Sequence, residues 1–152
     1  MRAICAGAGG ECGAAEAGTA PAAIPAPRPS ELQLVNRYID ADLDDFLAYR
    51  ASPDRDPRLD WSSDECTAPI VGSTGASFDF TEACLRHDFG YRNHRRLGTF
   101  ESQKAAVDDR FLDDMRDHCA GRPDEERERC GRWARIFYEA VRRFGHLVGR
   151  RR

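Results

Sequence analysis

The sequence predicts a small all-α domain that is stapled by disulfide bonds and carries a long loop ahead of two antiparallel helices. Apolar residues recur at helical spacing from residue 30 onwards, and no run alternates between apolar and polar in the manner of a half-buried strand. Six cysteines are an even number, suited to two or three bridges. With 152 residues, the chain has room for one modest domain.

The N-terminal residues 1–29 differ in composition from the rest of the chain. They are rich in Ala, Gly and Pro and contain no aromatic residue, so they cannot bury enough apolar surface to order themselves. We expect a disordered leader or linker over 1–29, a helical domain over 30–148 and a basic tail over 149–152. Cys5 and Cys12 fall in the leader, which leaves four cysteines for the domain.

The first helix is predicted over 30–49, with Ser30 as its N-cap. Its apolar positions are Leu32, Val35, Ile39, Leu43, Phe46 and Leu47. The next stretch, about 50–78, collects Pro, Gly, Ser and Asp without a sustained period, which is typical of a loop. An ordered loop of this length usually has a function or is held in place by a disulfide bond.

Three more helices follow the loop. The second begins near Thr81, which is expected to cap it, and stops at Gly98. The third runs from about Thr99 to Cys119, and the fourth follows a turn over 120–128 and ends near Gly145. The stripe of the third helix is Phe100, Lys104, Val107, Phe111, Met115 and His118, and that of the fourth is Trp133, Ile136, Phe137, Ala140, Val141 and Phe144. Because the connection at Gly98 is short, the second and third helices are expected to be antiparallel neighbours.

His87 on the second helix and Asp108 on the third lie almost symmetrically about the turn at Gly98. Two side chains placed in this way face each other across an antiparallel helix pair. A carboxylate that holds one imidazole nitrogen fixes the tautomer and leaves the other nitrogen free to accept a proton. The spacing therefore predicts a general-base dyad, and it also fits a buried pair with a purely structural role.

Asp88 points about 100° round the helix from His87 and needs a different partner. The long loop offers Asp64 and neighbouring backbone carbonyls, and a Cys66–Cys84 bridge would pin that loop to the second helix. Carboxylates, carbonyls and water form an all-oxygen site that suits calcium. The alternative for each of these two acids is an ordinary solvated surface position.

The four cysteines of the domain allow three pairings, and a zinc site is a further alternative. Pairing Cys66 with Cys84 closes 18 residues, and pairing Cys119 with Cys130 closes 11. Zinc is suggested by the C-x-x-H spacing of Cys84 and His87, which Cys66, His118, Cys119 and Cys130 would complete. Against zinc, no second pair repeats that spacing.

Four segments together resemble a known family. They are DWSSDECTAP in the loop, FTEACLRHDFGYRN in the second helix, VDDRFLDDM in the third and WARIFYEAVRRFG in the fourth. Over about residues 58–145 the chain resembles the secreted phospholipase A2 superfamily, most closely its small bacterial and fungal branch. The run C-x-x-H-D-F-G-Y-R-N with a later Asp is specific to that resemblance.

The resemblance implies a calcium-dependent phospholipase A2 that releases the sn-2 fatty acid of a glycerophospholipid. It implies that His87 activates a water molecule and that Asp108 orients His87. It also implies a calcium ion (Ca²⁺) held by the carboxylates of Asp64 and Asp88 and by the backbone carbonyl of Glu65. The bridges it implies are Cys66–Cys84 and Cys119–Cys130. Tyr91, one turn after His87, either lines the acyl channel, forms a hydrogen bond within the site or packs in the core.

The chain departs from the animal enzymes of the superfamily. It has neither their glycine-rich calcium loop nor their double cysteine before the histidine, and Glu65 is charged where the bacterial branch commonly has an apolar residue.

The resemblance also implies a secreted protein that acts at a phospholipid membrane or micelle surface, and we expect a monomer. The net charge of −3 argues against a nucleic-acid partner. The alternative function is a catalytically silent helical module that binds membranes or a protein, which the basic C-terminal half of the chain favours.

Overall fold

The computed structural model of the protein describes residues 29–64, 74–75 and 78–147. The elements in chain order are α1 (Glu31–Asp40), α2 (Leu43–Ala51), β1 (Thr74–Gly75), β2 (Phe78–Asp79), α3 (Thr81–Arg96), α4 (Phe100–Ala120) and α5 (Asp124–Phe144). The predicted all-α class is confirmed. Most of the predicted leader, the tail, Glu65 and Cys66 lie outside the described residues. Within the described ranges, no helix is both long enough and apolar enough to cross a bilayer.

At the end of the predicted loop, β1 and β2 form a small antiparallel pair that the sequence does not predict. Thr74 pairs with Asp79 and Gly75 with Phe78. Each strand has two residues, which is too short for an apolar–polar alternation to be visible in the sequence.

The prediction of one continuous first helix is wrong, because Ala41 and Asp42 adopt extended conformations between α1 and α2. The predicted N-cap is confirmed, since the Ser30 hydroxyl accepts the backbone N–H of Gln33 at 3.2 Å in a capping box. At the break, the Ala41 carbonyl accepts hydrogen bonds from Arg86 and from Arg110, the latter at 2.6 Å. Side chains from α3 and α4 therefore take over a carbonyl that a continuous helix would have used internally.

α3 and α4 form the predicted antiparallel pair, and Gly98 in the turn adopts a left-handed φ of 71°. A Cβ atom at Gly90 would lie 2.8 Å from Cγ1 of Val107, so the two helices approach closely one turn after His87. The prediction that Thr81 caps α3 is wrong. Thr81 is the first helical residue, and its own N–H donates to the carboxylate of Asp79 at 2.9 Å.

α5 begins at Asp124, earlier than predicted, because the acidic residues assigned to a turn belong to its first turns. Acidic side chains there interact favourably with the positive end of the helix dipole. Its predicted apolar stripe is only partly buried: Phe137 is 2% exposed, whereas Ile136 and Phe144 are 47% and 45% exposed.

The core consists of two apolar clusters that meet at α3. One lies between α1, α2 and the first half of the loop, with Tyr38, Phe46, Trp61 and Phe89 among its members. The other joins β2, α4 and α5 and contains both cysteines of the Cys119–Cys130 disulfide, whose Cα atoms are 5.5 Å apart. Cys84 is also disulfide-bonded, and the Cys66 assigned to it by the sequence analysis lies outside the described residues.

Replacing Cys119 and Cys130 together by Ser is expected to lower the free energy of unfolding by roughly 3 kcal/mol, because the bond closes an 11-residue loop in the unfolded chain. Urea denaturation of the two proteins measures this difference. Both proteins are unfolded under oxidising conditions, so that the bond at Cys84 is kept in each, and a variant as stable as the parent would contradict the expectation.

Candidate active site

His87 and Asp108 meet between α3 and α4, as their spacing predicts. Nε2 of His87 lies 3.0 Å from Oδ1 of Asp108, and the two side chains are 5% and 0% exposed. Because Nε2 is held by the carboxylate, it carries the proton, and Nδ1 is the nitrogen with the lone pair. The geometry is that of an imidazole oriented to accept a proton at Nδ1.

Asp108 stays ionised in this buried position because three donors surround it. Burial acts to raise the pKa of Asp108, but hydrogen bonds from His87, Lys104 and Tyr91 outweigh it and lower the pKa. An ionised Asp108 accepts the Nε2–H of His87 and would stabilise an imidazolium if Nδ1 took up a proton.

Tyr91 forms a hydrogen bond within the site. Its hydroxyl donates to Oδ1 of Asp108 at 2.6 Å, and its ring centroid lies 4.1 Å from that of His87. Burial and the Asp108 carboxylate both raise the pKa of Tyr91, so the hydroxyl remains a donor. Phe111 covers His87 with ring centroids 4.6 Å apart, so the orientation of the imidazole is restricted by packing as well as by hydrogen bonds.

Lys104 belongs to the site, although its spacing predicts only a position in the stripe of the third helix. Its ammonium donates to Oδ2 of Asp108 at 2.6 Å. The signal that would have identified it is the i, i+4 spacing of Lys104 and Asp108 on one helix, which brings opposite charges together.

Asp88 is linked to the loop by two hydrogen bonds. Its Oδ2 accepts the Ser63 hydroxyl at 2.6 Å and the backbone N–H of Asp64 at 3.0 Å. Burial raises the pKa of Asp88, and the negative charge of Asp64 adds to this effect. Ser63 was missed in the sequence, where a serine in a Ser-rich loop is unremarkable.

The carboxylate of Asp64 contacts Arg92, which lies one turn after Asp88 on α3. Arg92 donates to Oδ1 of Asp64 at 3.0 Å, and the two side chains are 31% and 52% exposed. Burial acts to raise the pKa of Asp64, but hydrogen bonds with Asp88 and Arg92 outweigh it and lower the pKa. The two carboxylates are thus close enough to influence each other's ionisation.

The carboxylates of Asp64 and Asp88 fit a hard divalent cation as ligands, since they interact with each other and that of Asp88 is buried. The described ranges contain no group of three or more His, Cys, Asp or Glu residues that could hold a metal ion. The predicted Glu65 carbonyl lies outside the described residues. Zinc does not fit, because Cys119 and Cys130 are bonded to each other and Cys84 is also disulfide-bonded.

Comparison with known proteins identifies the family. The sequence model of the prokaryotic phospholipase A2 family matches residues 36–145. A secretory phospholipase A2 of Beauveria bassiana (strain ARSEF 2860) is 38% identical over 134 residues, which cover 86% of this chain and 67% of that protein. A secretory phospholipase A2 of Arthroderma benhamiae (strain ATCC MYA-4681 / CBS 112371) is 40% identical over 93 residues, or 59% of this chain and 62% of that protein. The chain belongs to the prokaryotic phospholipase A2 family.

Proposed function

We propose that the protein is a calcium-dependent phospholipase A2, secreted like the relatives named above, that hydrolyses the sn-2 ester of glycerophospholipids at a membrane or micelle surface. The observation that carries the proposal is the buried His87–Asp108 pair, in which Nε2 of His87 contacts Asp108 and Nδ1 is the nitrogen that accepts a proton. The next residue in the sequence is Asp88. A proton acceptor and a pair of cation-binding carboxylates are thus supplied by one turn of α3 and the loop against it.

In the proposed reaction, His87 accepts a proton at Nδ1 from a water molecule as that water attacks the ester carbonyl carbon. Asp108 holds the ring and stabilises the imidazolium through Nε2. The proton then passes from Nδ1 to the departing lysophospholipid alkoxide, which restores the neutral imidazole. Water is the nucleophile, so no covalent enzyme intermediate forms.

The carboxylates of Asp64 and Asp88 and the backbone carbonyl of Glu65 would hold the calcium ion. Bound calcium would supply Lewis-acid polarisation of the ester carbonyl and charge stabilisation for the oxyanion and the phosphate. Because Arg92 contacts Oδ1 of Asp64, calcium binding through that oxygen would require the ion pair to open. An exposed ion pair is worth only about 0–1 kcal/mol, so this requirement is a minor cost.

The proposal is tested with the whole, oxidised chain and vesicles of a phospholipid whose sn-1 and sn-2 chains differ. We expect release of the sn-2 fatty acid in calcium, and loss of that release in excess chelator. Asp88→Asn is expected to weaken calcium binding, measured by calorimetry, by at least about tenfold, because changing even an outer-shell partner of a metal ligand costs about 10- to 100-fold in metal affinity.

Asp113→Asn is the matched control, because Asp113 is an exposed acid on α4 that pairs only with Arg116 in the contacts described. It should bind calcium as the parent does. If a folded protein with both bridges formed bound vesicles but released no fatty acid at any calcium concentration, the silent binding module would be the better account. Release that persists in chelator would contradict calcium dependence alone.

A further inference from the structure

We propose that Lys104 is a positioning residue for the dyad, holding Asp108 in the orientation that His87 requires by joining it to the last turn of α5. The inference rests on the proposed function, because the role it assigns is a role in that reaction. Through Lys104, α5 also contacts a site that is otherwise formed by α3, α4 and the loop.

The ammonium of Lys104 contacts three acceptors from two helices. Nζ lies 2.6 Å from Oδ2 of Asp108, 2.9 Å from the carbonyl of Val141 and 3.3 Å from the carbonyl of Arg142. The Lys104 side chain is 15% exposed. The three N–H donors of the ammonium therefore match one carboxylate oxygen and two carbonyls at the C-terminal end of α5.

The two oxygens of Asp108 are divided between different partners. Oδ1 accepts from His87 and Tyr91, whereas Oδ2 accepts from Lys104. Arg142 is the other cation near Oδ2, and at 3.9 Å it is too distant for a hydrogen bond. Without Lys104, a fully buried carboxylate would lose its closest compensating charge and the contact that resists rotation of Oδ1 away from His87.

The choice of residue supports a specific role. Lys104 is the only lysine in a chain with 23 basic residues, and the other 22 are arginines. An ammonium directs three donors to acceptors on different sides, whereas the donors of a guanidinium lie in one plane and suit a bidentate partner such as a carboxylate. The end of α5 also packs closely against the site, since a Cβ atom at Gly145, the residue after this helix, would clash with the Tyr91 hydroxyl.

The test compares Lys104→Met with Arg116→Met in the whole oxidised protein. Arg116 lies on the same helix, is 53% exposed and pairs with Asp113, so this control removes one positive charge without touching the dyad. Lys104→Met is expected to lower kcat for sn-2 hydrolysis by about 10- to 100-fold with KM within about twofold, because the group acts on the chemical step. Arg116→Met is expected to match the parent. A Lys104→Met protein with the parent kcat would overturn the proposal.

A spectroscopic readout needs neither lipid nor calcium. The NMR resonance of the His87 Nε2 proton reports its hydrogen bond to Asp108, and we expect it to move in Lys104→Met and to stay in place in Arg116→Met. An unmoved resonance in Lys104→Met would overturn the proposal. If the parent hydrolyses no lipid, the proposed function fails, while this resonance still decides the role of Lys104.

A double-mutant cycle keeps the proposal testable if Lys104→Met folds poorly. Asp108→Asn removes the carboxylate through which Lys104 is argued to act, and Lys104→Met in that background leaves no buried anion without a partner. If Lys104 acts through Asp108, the second change is expected to alter the residual kcat by less than about twofold. A loss in the Asp108→Asn background of 10-fold or more would mean that Lys104 acts elsewhere and would overturn the proposal.

Discussion

His87→Gln is expected to lower kcat for sn-2 hydrolysis by about 10²–10⁴-fold, the range that general acid–base groups contribute. Glutamine fills a similar volume but offers no nitrogen that accepts a proton from water. The buried Asp108 retains donors from Tyr91 and Lys104, so the variant should remain folded. Fatty-acid release from mixed-chain vesicles, followed with enough enzyme to detect the residual rate, measures the change.

His118→Gln is the matched control for this experiment. His118 is half-buried against Phe80 and lies 3.1 Å from an Arg122 nitrogen, outside the dyad. It should keep the kcat of the parent. Equal activity of His87→Gln and the parent would show that the proton acceptor has been assigned to the wrong residue.

Asp114→Ala is expected to lower the free energy of unfolding by about 3–5 kcal/mol, the cost of leaving one member of a buried ion pair without its partner. Arg86 is 2% exposed, and its Nε donates to Oδ2 of Asp114 at 2.9 Å. Because Arg86 also donates to the Ala41 carbonyl, the loss should extend to the junction of α1 and α2. Chemical denaturation measures the change.

The neighbouring Asp113 is the control, since it is 59% exposed and contacts Arg116 at 3.4 Å. Asp113→Ala should change stability by less than about 1 kcal/mol, as exposed ion pairs contribute little. Equal effects at the two positions would contradict the view that burial makes the Arg86–Asp114 pair important. Replacing Arg86 by Met and Asp114 by Leu together should recover part of the lost free energy of unfolding, because the pair then leaves no unpaired charge.

Much of the fold and part of the candidate site were predictable because they depend on local pattern. Helical periodicity identified the helix pair α3 and α4, and Gly98 marked the turn between them, which adopts the positive φ that glycine favours. Symmetry about that turn was then enough to place His87 opposite Asp108. The roles of these residues, and those of Asp64, Glu65 and Asp88, stay predictions.

The errors and omissions arise where a polar group is satisfied by a residue distant in sequence. The helix predicted over 30–49 is interrupted at Ala41, whose carbonyl is bound by Arg86 and Arg110, and nothing near Ala41 in the sequence indicates these partners. The i, i+4 spacing places Lys104 beside Asp108, but its link to α5 is not visible in the sequence, because its carbonyl partners there are 37 and 38 residues away. Apolar periodicity is a property of neighbouring residues, whereas the partner of a buried charge or carbonyl depends on which helices pack together, and only the tertiary structure decides that.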